Sequence, residues 1–308
     1  MKTKRILIRS AQVIVILLIF YFLVKGVIAN WDQVKGFDWK FDYPLLILSF
    51  VLQMAALFWL VQIWRWILRH TGSTVSYSGL FKVWFFANLG RYLPGKVWQF
   101  LGMVYMLEKR GVPPRNTFST VVLAQTCSVM SGLLIAFAFL GVNLYSQFLS
   151  GNPGLIVVIA IFFLAVIALV SYPNLLRKVV NFGLGVLKRE KISLDISSKD
   201  VIIYILCYSV SWLLFGLAFL VFIKAMAVAS FAMYPSLTGA FAFSVNIGFL
   251  VLFVPGGIGV REGLLVLLLS TLFPAFFPVP VATLISLLAR LWVTVAELLC
   301  FSIAVPLK

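Results

Sequence analysis

Long apolar runs separated by short polar stretches dominate the chain. Residues 10–24, 44–64, 116–142, 155–172, 201–223 and 279–305 are almost continuously hydrophobic. A helix that crosses a bilayer needs about 20 such residues, so these runs predict about six spanning helices. Two further apolar stretches, 77–110 and 237–273, are interrupted in their middles. The first is broken by Leu93-Pro94-Gly95-Lys96. The second is broken by Val254-Pro255-Gly256-Gly257-Ile258-Gly259-Val260-Arg261-Glu262. Pro and Gly end helices, so each stretch predicts a broken hairpin whose arms re-enter or fully span. The run at 10–24 follows Lys2, Lys4, Arg5 and Arg9 and precedes Val27-Ile28-Ala29, as a signal peptide would. Retention as a first helix is expected instead, because the repeat described next requires it.

The two breaks are 161 residues apart. The same offset carries the run at 44–64 close to 201–223, and 116–142 close to 279–305. The pattern therefore predicts an all-α polytopic membrane protein, a single membrane domain over residues 1–308. It is built from a first repeat at 1–142 and a second at 155–308. A hairpin enters and leaves on one side, so each repeat crosses an odd number of times. The second is then inverted relative to the first. Composition agrees with a bilayer: 63% of residues are hydrophobic, 11% are charged, and mean hydropathy is +1.09. No soluble core hides so much apolar surface, which excludes a soluble enzyme. The 25 Lys and Arg against 9 Asp and Glu could suggest nucleic acid in a soluble protein. Here their placement explains them. With the N-terminus inside, 19 cations fall in inside segments and 5 in outside ones. That is the bias of a cytoplasmic-membrane protein with both termini in the cytoplasm.

Little catalytic chemistry is legible. Cys127, Cys207 and Cys300 lie singly in apolar runs, and His70 is the only histidine. No metal site, cofactor motif or nucleophile–base set is expected, nor an enzyme. The aromatic excess reads as mostly lipid-facing surface, and Trp31, Trp39 and Tyr43 as headgroup-level anchors. The chemistry concentrates at the breaks. A helix restarting after Pro94-Gly95, or after Pro255, Gly256, Gly257 and Gly259, presents bare N–H groups suited to an anion. Arg91 and Lys96 flank the first break and Arg261 follows the second. The competing reading is ordinary turn punctuation with snorkelling cations. Arg290, Glu297 and Glu262 are further charges in apolar segments. Seven residues separate Arg290 from Glu297, too far for direct pairing along one helix, so Glu262 is the expected partner of Arg290. Gln99, Asn88, Gln125 and Asn246 are expected to hydrogen-bond between helices. Gly259 and Gly263 have the spacing of close helix packing.

Asn88-Leu-Gly-Arg-Tyr-Leu-Pro-Gly-Lys-Val-Trp-Gln, Lys109-Arg-Gly and Val254-Pro-Gly-Gly-Ile-Gly-Val-Arg-Glu resemble the hallmark stretches of the lysylphosphatidylglycerol synthase transmembrane-region family. The resemblance covers nearly the whole chain. It implies a flippase-like domain of a bacterial or archaeal membrane that translocates anionic or modified phospholipids, or polyprenyl-linked sugars. Two positions depart from the family pattern. Trp98-Gln99 stands where many members carry an acidic residue, and Gln125 where many carry a glutamate. With no synthase domain after Lys308, the chain is not expected to make an aminoacyl lipid itself. The expected partners are membrane lipids or lipid-linked sugars, with a glycosyltransferase or lipid synthase as an associated protein. The alternatives are a secondary transporter of a small anion, and a membrane partner of such an enzyme that transports nothing.

Overall fold

The computed structural model describes residues 31–92, 97–144, 196–251 and 254–307, with scattered positions between 25 and 30 and between 154 and 181. The run at 10–24 lies outside the described residues, as do Pro94, Gly95 and Lys96, and only scattered positions of the run at 155–172 are described. Nine α-helices and no strand occur among the described residues. They are α1 (Trp31–Lys35), α2 (Tyr43–Arg69), α3 (Tyr77–Asn88), α4 (Val97–Glu108), α5 (Pro114–Leu144), α6 (Ser198–Lys224), α7 (Tyr234–Leu250), α8 (Val260–Leu272) and α9 (Val279–Ala304). Four of them, α2, α5, α6 and α9, are long and apolar enough to cross a membrane.

Local capping sets the boundaries, and it corrects several expected ones. Asp42 starts α2 by accepting from the Leu45 amide at 3.0 Å. The helix runs past Trp64 to Arg69, because Ile67 and Leu68 are buried and Arg65 reaches back to the Val75 carbonyl at 3.2 Å. The helix expected from residue 201 starts earlier, at Ser198. Ser197 caps α6, and the Asp200 carboxylate accepts from the Ser197 amide at 2.9 Å, forming a capping box. The helix expected over 116–142 extends further, since it runs from Pro114 through Leu144.

The interrupted segments fold as arms of 12 residues each for α3 and α4, and of 17 and 13 for α7 and α8. Each is shorter than the about 20 residues a spanning helix needs.

Contacts between distant parts of the chain fix how the helices run. The Asp42 amide donates to the Ala225 carbonyl at 2.9 Å, so the start of α2 lies beside the end of α6. Midway, Trp59 Nε1 donates to the Cys207 carbonyl at 3.0 Å. At the far end, the His70 ring lies 5.8 Å from that of Tyr204. The two helices are therefore antiparallel neighbours along their whole length. A second ladder joins α3 to α9. Lys82 Nζ donates to the Val305 carbonyl at 3.3 Å, and the Phe86 and Phe301 rings are 4.6 Å apart. These two also run antiparallel.

Lipid tails are as apolar as leucine, so such helices associate by packing and hydrogen bonding rather than by escape from water. Contrary to the expectation of lipid-facing rings, Trp64, Trp292, Phe219 and Phe222 are buried, and Phe222 stacks on Trp292 at 4.7 Å. Trp31 and Tyr43 are exposed, whereas Trp39 packs against Phe37 at 4.7 Å. The outward faces are aliphatic: Ile47, Leu48 and Val51 on α2, and Leu291, Val295, Leu298 and Leu299 on α9. Cys127 and Cys300 are buried free thiols, and Cys207 is half-buried.

A candidate functional site between two helix breaks

A short 3-10 turn precedes the first break and another forms the second, and the two turns touch. Leu89–Tyr92 ends the first arm, and it meets Pro255–Gly257 at the start of the second return arm. The second turn depends on glycine. Gly257 has φ of +66°, and a methyl group there would sit 2.5 Å from the Gly248 carbonyl oxygen. The turn thus folds back directly onto the end of α7, backbone against backbone.

The restarting helix α8 carries Glu262 in its first turn. This carboxylate accepts from the Gly259 amide, satisfying one of the bare N–H groups. Its other oxygen lies 3.7 Å from Arg290 Nη1. The same nitrogen donates to the Gly256 carbonyl at 3.3 Å. Ser286, one turn before Arg290 on α9, donates to the Glu262 carbonyl at 3.1 Å. Arginine on α9 therefore ties down both the turn and the carboxylate that caps α8. Two turns further along α9, Glu297 forms an ion pair with Arg91 of the first break. One helix thus grips both Arg91, beside the first break, and the turn of the second.

These groups wall a cavity of about 260 Å³. Arg91, Gln99, Gly256, Arg261, Arg290 and Glu297 line it, as do Asn88, Gln125 and Asn246. Pro255, Gly257 and Gly259 shape the turn without lining the space, and Glu262, only 1% exposed, lies behind it. Three expectations need correction. Arg91, expected as a cation for the ligand, is ion-paired, because the antiparallel course of α3 brings it level with Glu297. Asn246 donates to the Ala242 carbonyl of its own helix at 2.8 Å, since a side chain there reaches the preceding turn more easily than a neighbour. Gly263 packs against nothing: a methyl group there would meet no atom within 4 Å, because that face of α8 points outward. The Arg261 guanidinium sits 5.1 Å from the Phe241 ring centre, in cation–π range.

Other lining residues escaped sequence reasoning. Gln53 of α2, Trp84 of α3, and Tyr208 and Trp212 of α6 face the space. A glutamine inside the apolar run at 44–64 was the one available signal. The tryptophans gave none, because a ring lining a cavity and a ring facing lipid look alike in sequence. An apolar groove of about 320 Å³ between α4 and α5 adjoins the cavity and shares Phe100, Val121 and Gln125 with it.

No curated protein and no solved structure matches the chain significantly. A family model described as the lysylphosphatidylglycerol synthase TM region matches residues 9–296. With nearly all of its length matched, the chain belongs to the lysylphosphatidylglycerol synthase TM region family.

Proposed function

We propose that the protein is a lipid flippase or scramblase of the cytoplasmic membrane, and that the lipid headgroup crosses through this cavity while its acyl tails stay in the bilayer. One observation carries the reading: a cavity whose largely apolar wall carries Arg91, Arg261, Arg290 and Glu297 lies between two helix breaks that meet inside an otherwise apolar bundle. A headgroup leaving water needs replacement partners, since an unpaired charge in hydrocarbon is prohibitively costly. At about 260 Å³ the space suits a headgroup, being below the roughly 300–1,000 Å³ of sites that enclose a whole drug-sized ligand. Leu298 lines the cavity yet is 49% exposed on the aliphatic outer face of α9, which supports an opening toward lipid.

The repeats are inverted in this reading, and the hairpins re-enter. Support comes from the antiparallel pairing of α2 with α6, the corresponding helices of the two halves. The first hairpin begins beside the C-terminal end of α9, where Lys82 meets Val305. The second follows the end of α6, beside Asp42, on the opposite side. Transporters place substrate at such broken helices. The side that carries Arg65, Arg69, Lys109 and Arg110 is cytoplasmic by its positive charge.

The test is translocation of an acyl-labelled anionic lipid in proteoliposomes. Arg261→Gln, and the paired change Arg91→Gln with Glu297→Gln, should each slow it about tenfold or more, one lost charged contact costing about 1.5–3 kcal/mol. Neither should reduce folded yield. Wild-type rates in both variants would overturn the reading. Uptake of a soluble anion without lipid movement would replace it with a small-anion transporter.

A further inference from the structure

The groove between α4 and α5 takes no part in the charge network, yet it adjoins the same cavity. Phe100 and Val104 of α4 and Phe118, Val121, Val122 and Thr126 of α5 line it. Thr126 donates its hydroxyl to the Val122 carbonyl at 2.9 Å, so that group asks nothing of an occupant. The two ends of the groove differ in depth. Glu108, Lys109, Arg110 and Arg115 are all exposed around the link between the two helices, and such charges hold that end at a membrane surface. Phe118 stands only about 6 Å along α5 from the helix start, by the helical rise. Phe100, Val121 and Gln125 line both the groove and the cavity. Gln125 stands about 16 Å along α5, close to the middle of a hydrocarbon core about 30 Å thick. The groove therefore runs through one leaflet, from near the surface to the cavity.

We propose, building on the transport reading above, that this groove seats one acyl tail of the lipid whose headgroup occupies the cavity, with the ester end at Gln125 and the methyl end toward Phe118. The occupant is a chain and not a helix, because α4 and α5 already pack against each other. A helix with its side chains is about 10 Å across and does not enter such a seam. The Gln125 amide suits the ester carbonyl, which only accepts. The tail gains nothing here by leaving water, since the surrounding bilayer is equally apolar. What the groove fixes is direction. A lipid at rest in this leaflet keeps its ester at the surface, level with Phe118, and its methyl end at the midplane. The seated tail runs the opposite way. It has the orientation of a lipid of the other leaflet, so the molecule has turned over while its headgroup is only halfway across.

The experiment uses the full chain in vesicles containing phosphatidylglycerol with a photoreactive diazirine on one acyl tail, near the ester or near the terminal methyl. Labelled residues are mapped by mass spectrometry. The ester-end probe is expected on Phe100, Val121 and Gln125, and the methyl-end probe on Phe118. Both should be displaced by unlabelled phosphatidylglycerol. The reverse order would mean lipid at rest against the surface of the protein, and would overturn the inference. So would labelling of the groove no stronger than that of Ile47, Leu48 and Val51 on the outward face of α2. Val122→Trp and Val104→Trp fill the groove from opposite walls. Each should slow translocation about fivefold or more, as overfilling of a packed space implies, whereas Leu48→Trp should not. Wild-type rates in both groove variants would remove the tail seat from the path and overturn the inference while the transport reading stands. The labelling order is read on the wild-type chain, so it decides even if a variant does not fold. If the expected order is found and no lipid moves faster than in protein-free vesicles, the transport reading fails and the tail seat stands as a lipid-binding site. In a cysteine-free background, a disulfide-linked dimer of Val104→Cys would assign the groove to a second copy of the chain and overturn the inference.

Discussion

At Glu262 one carboxylate oxygen takes the Gly259 amide hydrogen, while the other faces Arg290 at 3.7 Å. A charge at the centre of a membrane helix costs about 2.5–3.5 kcal/mol on insertion scales, so each member of this pair is tolerated through its partner. Breaking a buried pair by removing one side costs about 3–5 kcal/mol, because the survivor is stranded. Glu262→Gln and Arg290→Gln should each lower the melting temperature in detergent sharply, and the double variant should recover part of the loss. Additive losses in that cycle would mean no interaction. This pairing was legible in the sequence, since an arginine in an apolar helix demands an acid and few are available. The partner of Glu297 was not. Its identity depends on the antiparallel course of α3 past α9, which local spacing does not encode, and so Arg91 read as an open cation.

The hairpins show the same division among elements. Pro255-Gly256 marked the second break, because proline and glycine disrupt helices wherever they fall, while Pro94 and Gly95 lie outside the described residues between α3 and α4. The contact that the second break makes was hidden, for Gly257 meets Gly248 only after the chain has turned back on itself. Gly257→Ala must both adopt a positive φ and push a methyl group to within 2.5 Å of a carbonyl oxygen. Strain of this kind costs about 1–3 kcal/mol, and the clash adds to it. The variant is expected to melt earlier than wild type and to translocate lipid more slowly, because the turn carries the carbonyl that Arg290 grips. Unchanged melting would show that the turn relaxes freely. The neighbouring Gly259–Gly263 spacing was misleading for the converse reason. Its meaning depends on which face of α8 is covered, and Gly263 lies on the uncovered one.

For the molecule as a whole, hydropathy was sufficient to place α2, α5, α6 and α9, since the bilayer imposes their length. The course of these helices relative to one another predicts sidedness. Thr74 follows the end of α2 and Val228 follows the end of α6, and these ends lie at opposite extremes of an antiparallel pair. Both residues are exposed. In a cysteine-free background, Thr74→Cys should react with an impermeant thiol reagent from the cytoplasmic side, and Val228→Cys from the other. Reaction of both from one side would overturn the proposed topology.

The pairing of α2 with α6 also bears on how the chain is made. Trp59 and its acceptor Cys207 are 148 residues apart. A ribosome adding about 5–20 residues per second needs roughly 7 to 30 s to cover that distance. Throughout that interval Trp59 of α2 lacks its acceptor on α6. The first half of the protein is thus made before the helix that α2 pairs with along its length exists.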